Sequence, residues 1–265
     1  MVVKVFETKR EAAQAAAEKA AGILVSAVEK HGRAVFVAAT GASQLEFLEA
    51  LTSMKSIPWN KTIMFHLDEY IGLPETHPAS FRKYLREKLV EKVRPGEVHF
   101  IRGDAPDPVE ECRRLNELIR DVDVHVAFVG IGENGHLAFN DPPANVDVED
   151  PYIIVELADS CRQQQVGEGW FQRIEDVPQR AITMSIKQIL KSQYIISVVP
   201  DKRKAIAVKH TLEGPISPHC PGSYLRTHPC AYLFLDRQAA SLLKETTLQN
   251  FRASPSKNYA AGDET

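Results

Sequence analysis

A chain of 265 residues, 44% hydrophobic and 25% charged, can bury a full core as one large domain or two small ones and has the composition of an ordinary globular protein. Its formal charge of −3 argues against nucleic acid or an anionic membrane as partner, while a local basic pocket for a small anion stays open. No apolar run approaches the ~20 residues needed to span a bilayer.

Cys112, Cys161, Cys220 and Cys230 form no C-x-x-C pair and no zinc-spaced cluster with histidine. Scattered cysteines, and a start that turns charged and alanine-rich at once, predict a reducing, cytoplasmic setting.

Val2–Phe6 reads as a strand. Thr8 and Glu11 then form a capping-box pattern ahead of an alanine-rich helix to about Lys30, closed by Gly32. Ala34–Ala39 is a second strand, followed by Thr40-Gly-Ala-Ser43 and a helix from Gln44 to Leu51. A small hydroxyl-bearing turn between strand and helix suits an anion, because free N–H groups and the helix dipole converge there. Ser43 also fits a plain cap, with Glu46 completing a capping box, and the two readings are compatible.

Thr62–Leu67 is a third strand and ends in Asp68-Glu69-Tyr70. Two adjacent acids at the end of a buried strand are costly to desolvate. Neighbouring strand side chains point to opposite faces, so one acid faces the crevice; a cap for the following segment is the alternative role. A helix over Ser80–Val93, a strand at Val98–Ile101 and a helix over Pro108–Asp121 come next.

The apolar run Val124–Val129 leads into Gly130-Ile-Gly-Glu-Asn-Gly-His-Leu-Ala-Phe-Asn-Asp-Pro-Pro143. Glycines here allow a tight turn and a close ligand. Polar groups after a buried strand sit where open α/β sheets keep their ligand sites. His136 and Asp141 are therefore the first candidates for chemistry. The Gly-x-Gly-x-x-Gly spacing is not taken as a dinucleotide fingerprint, since Pro142 and Pro143 forbid the long helix that motif opens.

Beyond the loop, Ile153–Leu157 reads as a strand, and Cys161–Trp170 is polar and glycine-containing. The segment from about Glu149 to Asp176 has the composition of a closing lid. Ala181–Ile186 and Tyr194–Val199 are further strands, and Asp201–Leu212 is a helix ended by Gly214. His219–Gly222 is a turn, Ala231–Leu235 a last strand and Arg237–Leu243 a last helix. Residues 254–265 read as a polar, disordered tail after one domain over residues 1–253. Strands alternating with helices predict a three-layer α/β/α fold with a mostly parallel, Rossmann-like sheet.

Several segments together resemble the glucosamine-6-phosphate deaminases, also called isomerases. They are Thr40–Ser43, Leu67-Asp-Glu-Tyr-Ile-Gly-Leu-Pro74, Gly130–Pro142, Arg162 and Lys204, in the family's order. The resemblance runs over roughly residues 2–245. It implies conversion of glucosamine 6-phosphate and water to fructose 6-phosphate and ammonia, without metal or organic cofactor. By that similarity His136 opens the sugar ring and Asp68 moves a proton between C2 and C1. Asn134 and Asp141 tune the histidine. Thr40, Gly41, Ala42 and Ser43 carry the phosphate, with Arg162 and Lys204 closing over it.

The residue types suit those tasks. Proton abstraction beside a carbonyl needs a partly desolvated carboxylate. Ring opening needs a group that takes and gives a proton near neutrality. A phosphate wants an arginine fork, a lysine and backbone N–H donors. Three departures mark a divergent branch: Asn134 where many members have Asp, Asp141 where many have Glu, and Ala42 where a second glycine is common. Asn134 cannot supply a charge to the histidine. Two other readings stay open at this point, a lactonase of the 6-phosphogluconolactonase kind and a catalytically silent sugar-phosphate sensor. No helix-turn-helix or basic stretch supports a one-chain regulator. The sequence leaves the oligomeric state open, a homo-oligomer included.

Overall fold

A computed structural model of the chain describes residues 1–253; the tail expected from Ser254 lies outside them. In chain order the elements are β1 (Val2–Phe6), α1 (Lys9–His31), β2 (Ala34–Ala38), α2 (Leu45–Ser53), β3 (Thr62–His66) and β4 (Asp68–Tyr70). Then come α3 (Phe81–Leu85), a π-helical turn (Arg86–Val90), α4 (Glu91–Val93), β5 (Glu97–His99), α5 (Pro108–Ile119), β6 (Val126–Val129) and β7 (Tyr152–Glu156). The remainder is α6 (Asp159–Gly167), β8 (Arg180–Met184), α7 (Ile186–Leu190), β9 (Tyr194–Val199), α8 (Ala205–Glu213), β10 (Ala231–Asp236) and α9 (Glu245–Ala253).

Seven strands form one parallel sheet in the order β1-β10-β9-β6-β2-β3-β5. Successive strand residues serve opposite faces, as the pleat requires. Phe36, Ala38, Phe128 and Val198 look toward α1 and α2, while Val35, Val37, Val129 and Val199 look toward α5 and α8. Both faces are covered, which is why these strands read as continuous apolar runs. Phe128 sits among Phe36 and Phe47, with ring centroids 5.7 and 5.0 Å away. Each such buried ring contributes about 1.5–3 kcal/mol.

α1 lies along the first of these faces on Ala12, Ala13, Ala16, Ala17 and Ala20, all buried. Alanine is both the best helix former and small enough for close packing on a sheet. The expected capping box is formed: Glu11 N–H donates to Thr8 Oγ1 and Thr8 N–H donates to Glu11. Gly32 closes the helix in the left-handed region.

The structure departs from the sequence expectations in several elements. A second, three-stranded antiparallel sheet, β4-β8-β7, stands beside the main one. The polar run Cys161–Trp170 lies mostly within a helix, α6. The strand expected to run through Ile186 stops at Met184, because Ser185 caps α7 by accepting from Gln188 N–H. No helix forms over Arg237–Leu243. Asp236 draws that segment into a turn by accepting from Ala239 N–H at 2.7 Å, and the last helix begins at Glu245.

Candidate active site

β2 and β6 are adjacent in the sheet, and the chain proceeds outward from them in opposite directions. This is the topological switch point, where the loops leaving two neighbouring strands separate and open a crevice at their carboxyl ends. The loop after β2 supplies Thr40–Ser43, and the loop after β6 supplies Gly130–Gly132 and His136. Asp68, Phe139, Lys204 and the inner face of α6 complete the cleft.

Asp68 and Glu69 are divided by the pleat of β4. Asp68 lines the cleft with only 6% of its surface exposed. Burial, reinforced by the neighbouring Glu69 charge, pushes its carboxyl up to about 8. Glu69 points away and ties down the start of α3. It accepts from Tyr70 N–H, Phe81 N–H, Arg82 N–H and Ser80 Oγ at 2.7–3.2 Å. Burial raises it as well, to about 7, against the opposing pull of those bonds. Of the two acids, one faces the crevice and the other is a cap.

His136 is held by its own loop. Gly132 N–H donates to His136 O at 3.0 Å, and Gly135 turns the chain at φ +88. A Cβ on Gly132 would lie 2.2 Å from the imidazole, so the ring can sit there only over a glycine. His136 Nδ1 lies 3.1 Å from Asp141 Oδ1. That oxygen also accepts from Asn134 Nδ2 at 2.9 Å, and Asp141 Oδ2 accepts from Ala158 N–H at 2.9 Å. Burial opposes the Asp141 charge, yet these partners together keep its carboxyl below the usual value. The anion fixes the tautomer and leaves Nε2 for the cleft. Asn134 spends its carbonyl on His136 N–H and its amide on Asp141 and Ser160, so it braces the pair with dipoles.

At the other end of the cleft the Thr40–Ser43 turn starts at Gly41, φ +97, and its carbonyl accepts from Tyr84 Oη at 3.1 Å. A short 3-10 turn, Ala42–Gln44, leads into α2, and Ser43 caps nothing. Lys204 arrives from the turn after β9. Asp236 holds that turn by accepting from Asp201 N–H at 3.2 Å on both oxygens. Lys204 is 5% exposed, and burial lowers its ammonium against the attraction of Glu168 and Glu133. Arg162 does not line the cleft. Its guanidinium donates to Ile174 O and Val177 O and pairs with Asp159, so it pins the segment after α6. The structure therefore brings Asp68, His136, Thr40–Ser43 and Lys204 to one cleft, with Asn134 and Asp141 behind the histidine and Arg162 outside.

Three lining residues were marked in the sequence only by lying within the segment with the composition of a lid: Gln164, Gln165 and Glu168, all from α6 and its end. The Gln165 amide oxygen is buried without a partner. His136, Asp141 and Cys161 offer nitrogen, oxygen and sulfur atoms within 4.8 Å of one another. Both Asp141 oxygens already have partners, Oδ1 in His136 and Asn134 and Oδ2 in the Ala158 N–H.

The family model described as glucosamine-6-phosphate isomerases/6-phosphogluconolactonase matches residues 7–233. A glucosamine-6-phosphate deaminase of an Exiguobacterium species is 39% identical over 181 residues, 68% of this chain and 70% of the relative. The corresponding protein of Exiguobacterium sibiricum is 35% identical over 216 residues, 82% of this chain and 84% of the relative. A solved monomeric glucosamine-6-phosphate deaminase superposes with a TM-score of 0.84 at 31% identity, over 92% of this chain and 100% of that one. The 6-phosphogluconolactonase of Trypanosoma brucei shares the fold, with a TM-score of 0.76 at 15% identity over 92% of this chain and 98% of its own. The glycine loop, the Asp68 strand and these likenesses agree: the chain belongs to the glucosamine-6-phosphate isomerase/6-phosphogluconolactonase family.

Proposed function

We propose that the protein converts glucosamine 6-phosphate and water to fructose 6-phosphate and ammonia. One observation carries the reading: a desolvated Asp68 and His136, backed by Asp141, face one cleft. A lactonase needs the histidine but has no use for a base poised to take a carbon-bound proton.

In the proposed sequence the sugar binds as the closed ring. His136 takes the proton of the anomeric hydroxyl and gives one to the ring oxygen, and the ring C–O bond breaks. Asp68 removes the C2 proton of the open aldehyde as the aldehyde oxygen takes one up, giving an enolamine, and returns its proton to C1 as the amine nitrogen releases one. The resulting imine at C2 adds water and expels ammonia, leaving the ketose. Asp141 keeps His136 in the tautomer that can do both transfers, and Asn134 holds Asp141 in place. The phosphate lies on the Thr40–Ser43 turn with Lys204 as counter-charge. We place the enzyme in the cytoplasm, where sugar phosphates are found.

The test is a paired product assay on purified protein with glucosamine 6-phosphate. Ammonia and fructose 6-phosphate in equal amounts are expected. Neither product, with thermal stabilisation by the sugar retained, overturns the reading in favour of a sensor.

A further inference from the structure

The end of the cleft that should receive a phosphate already contains a carboxylate. Glu168 lies at the end of α6, and its side chain is only 5% exposed. Its Oε1 is 3.9 Å from Lys204 Nζ and accepts from Gln164 Nε2 at 2.8 Å. Its Oε2 accepts from Trp170 Nε1 at 3.2 Å. A Cβ built on Gly41 would stand 4.0 Å from that same oxygen, which puts the carboxylate over the Thr40–Ser43 turn. The acid has four well-defined neighbours, so it is seated rather than adrift.

The charges make this consequential. Lys204 is the buried cation lining the cleft, and Glu168 cancels it. Arg203 is turned to Glu133, and Arg162 to the carbonyls beyond α6. A phosphate dianion entering beside Glu168 meets a like charge in a desolvated site, where repulsion is poorly screened. The same α6 is anchored to the catalytic loop by Gln164, whose Oε1 accepts from Glu133 N–H at 2.9 Å.

We propose that Glu168 is a resident anion, which in the free protein takes the place beside Lys204 that the substrate phosphate must win, and so sets how strongly the cleft prefers a phosphorylated amino sugar. Binding then exchanges the Glu168–Lys204 pair for a phosphate–Lys204 pair and moves the end of α6 outward. Glu168 is a specificity-determining residue. This inference rests on the deaminase reading for the identity of the substrate but not for the exchange of anions.

Glu168→Gln is the variant to make, because glutamine keeps the shape and an acceptor for Trp170 or Gln164. Two measurements are taken on wild type and variant. In the first, KM for glucosamine 6-phosphate should fall at least fivefold with kcat changed less than twofold, and kcat/KM for unphosphorylated glucosamine should stay within twofold. In the second, inorganic phosphate is titrated calorimetrically into each protein carrying Asp68→Asn as well, so that no turnover is involved. Its affinity should rise at least fivefold when Glu168 is neutral. Unchanged or weaker phosphate binding overturns the role of Glu168 whatever the enzyme's activity. Tighter phosphate binding with no ammonia from either protein supports the exchange and sinks the deaminase reading instead.

Discussion

Asp68 and Glu69 are consecutive in the chain and opposite in orientation: the first lines the cleft, and the second takes four hydrogen bonds at the start of α3. The alternation of β4 assigns one acid to chemistry and its neighbour to holding the wall. Asp68→Asn should lower kcat at least a hundredfold, at the scale of losing a general base. The sugar phosphate should still raise the melting temperature of this variant. Ammonia release and a thermal shift read the two halves, and undiminished turnover would remove Asp68 from the mechanism.

Removing Glu69 has a different signature. Glu69→Ala leaves three backbone N–H groups and the Ser80 hydroxyl without their acceptor. An unsatisfied buried donor costs about 1–3 kcal/mol. Urea unfolding should show a loss of at least that size. A variant as stable as wild type would mean that water replaces the carboxylate at no cost.

The raised carboxyl of Asp68 has a pH consequence. In the unfolded chain it titrates near 3.8, and in the fold it is pushed to about 8. Across that window the folded state holds a proton that the unfolded state has released, so stability falls as pH rises, by at most about 1.4 kcal/mol per pH unit. Asp68→Asn should flatten this share of the decline and be more stable than wild type at pH 8. The base works only when ionised, so kcat/KM of the wild type should climb from pH 6 and level off above about 8. A flat profile over that range excludes Asp68 as the titrating base.

How much of this was legible in the sequence follows from burial. The strands of the parallel sheet are covered on both faces and show as apolar runs, with Val35, Val37, Phe36 and Ala38 serving opposite sides. The Thr8–Glu11 box and Gly32 marked α1 because caps are local chemistry. β4 is three residues long and two of them are acids, so nothing local announces a strand; its pairing with β8 is a tertiary fact. α6 eluded the helical pattern because residues on its inner side, Gln164 and Gln165, are polar and face the cleft rather than a core. Glu168 reads as any surface acid until Lys204 and Gly41 are seen beside it.

Lys204 depends on a residue far from the chemistry. Asp236 at the end of β10 receives Asp201 N–H and stabilises the turn that delivers the lysine, with Asp201 itself at φ +77. Asp236→Ala should raise KM for the sugar phosphate several-fold while leaving kcat within about threefold, because the base and histidine are untouched. Loss confined to kcat would show that Asp236 does not act through Lys204.

Asn134 poses the sharpest question, since the resemblance leads one to expect Asp there. Its amide donates to Asp141 Oδ1 at 2.9 Å and to Ser160 Oγ at 3.2 Å, while its carbonyl accepts from His136 N–H at 3.1 Å. Ionised aspartate can keep the last bond but cannot donate the other two, and a protonated one can donate only one of them. It would also put a second carboxylate against Asp141, which is already enclosed and anionic. Like charges at hydrogen-bond distance disfavour joint ionisation, so one of the two acids takes up a proton. Asp141 then no longer presents a dependable anion to His136, and the imidazole loses its fixed tautomer. Asn134→Asp should therefore lower kcat/KM about tenfold on the closed-ring substrate, with a smaller deficit on an open-chain analogue that skips the histidine step. Equal deficits on both substrates would move the role of Asn134 from ring opening to the fold of the loop. A gain in activity would mean that the neutral residue is a defect rather than the partner around which Asp141 is built.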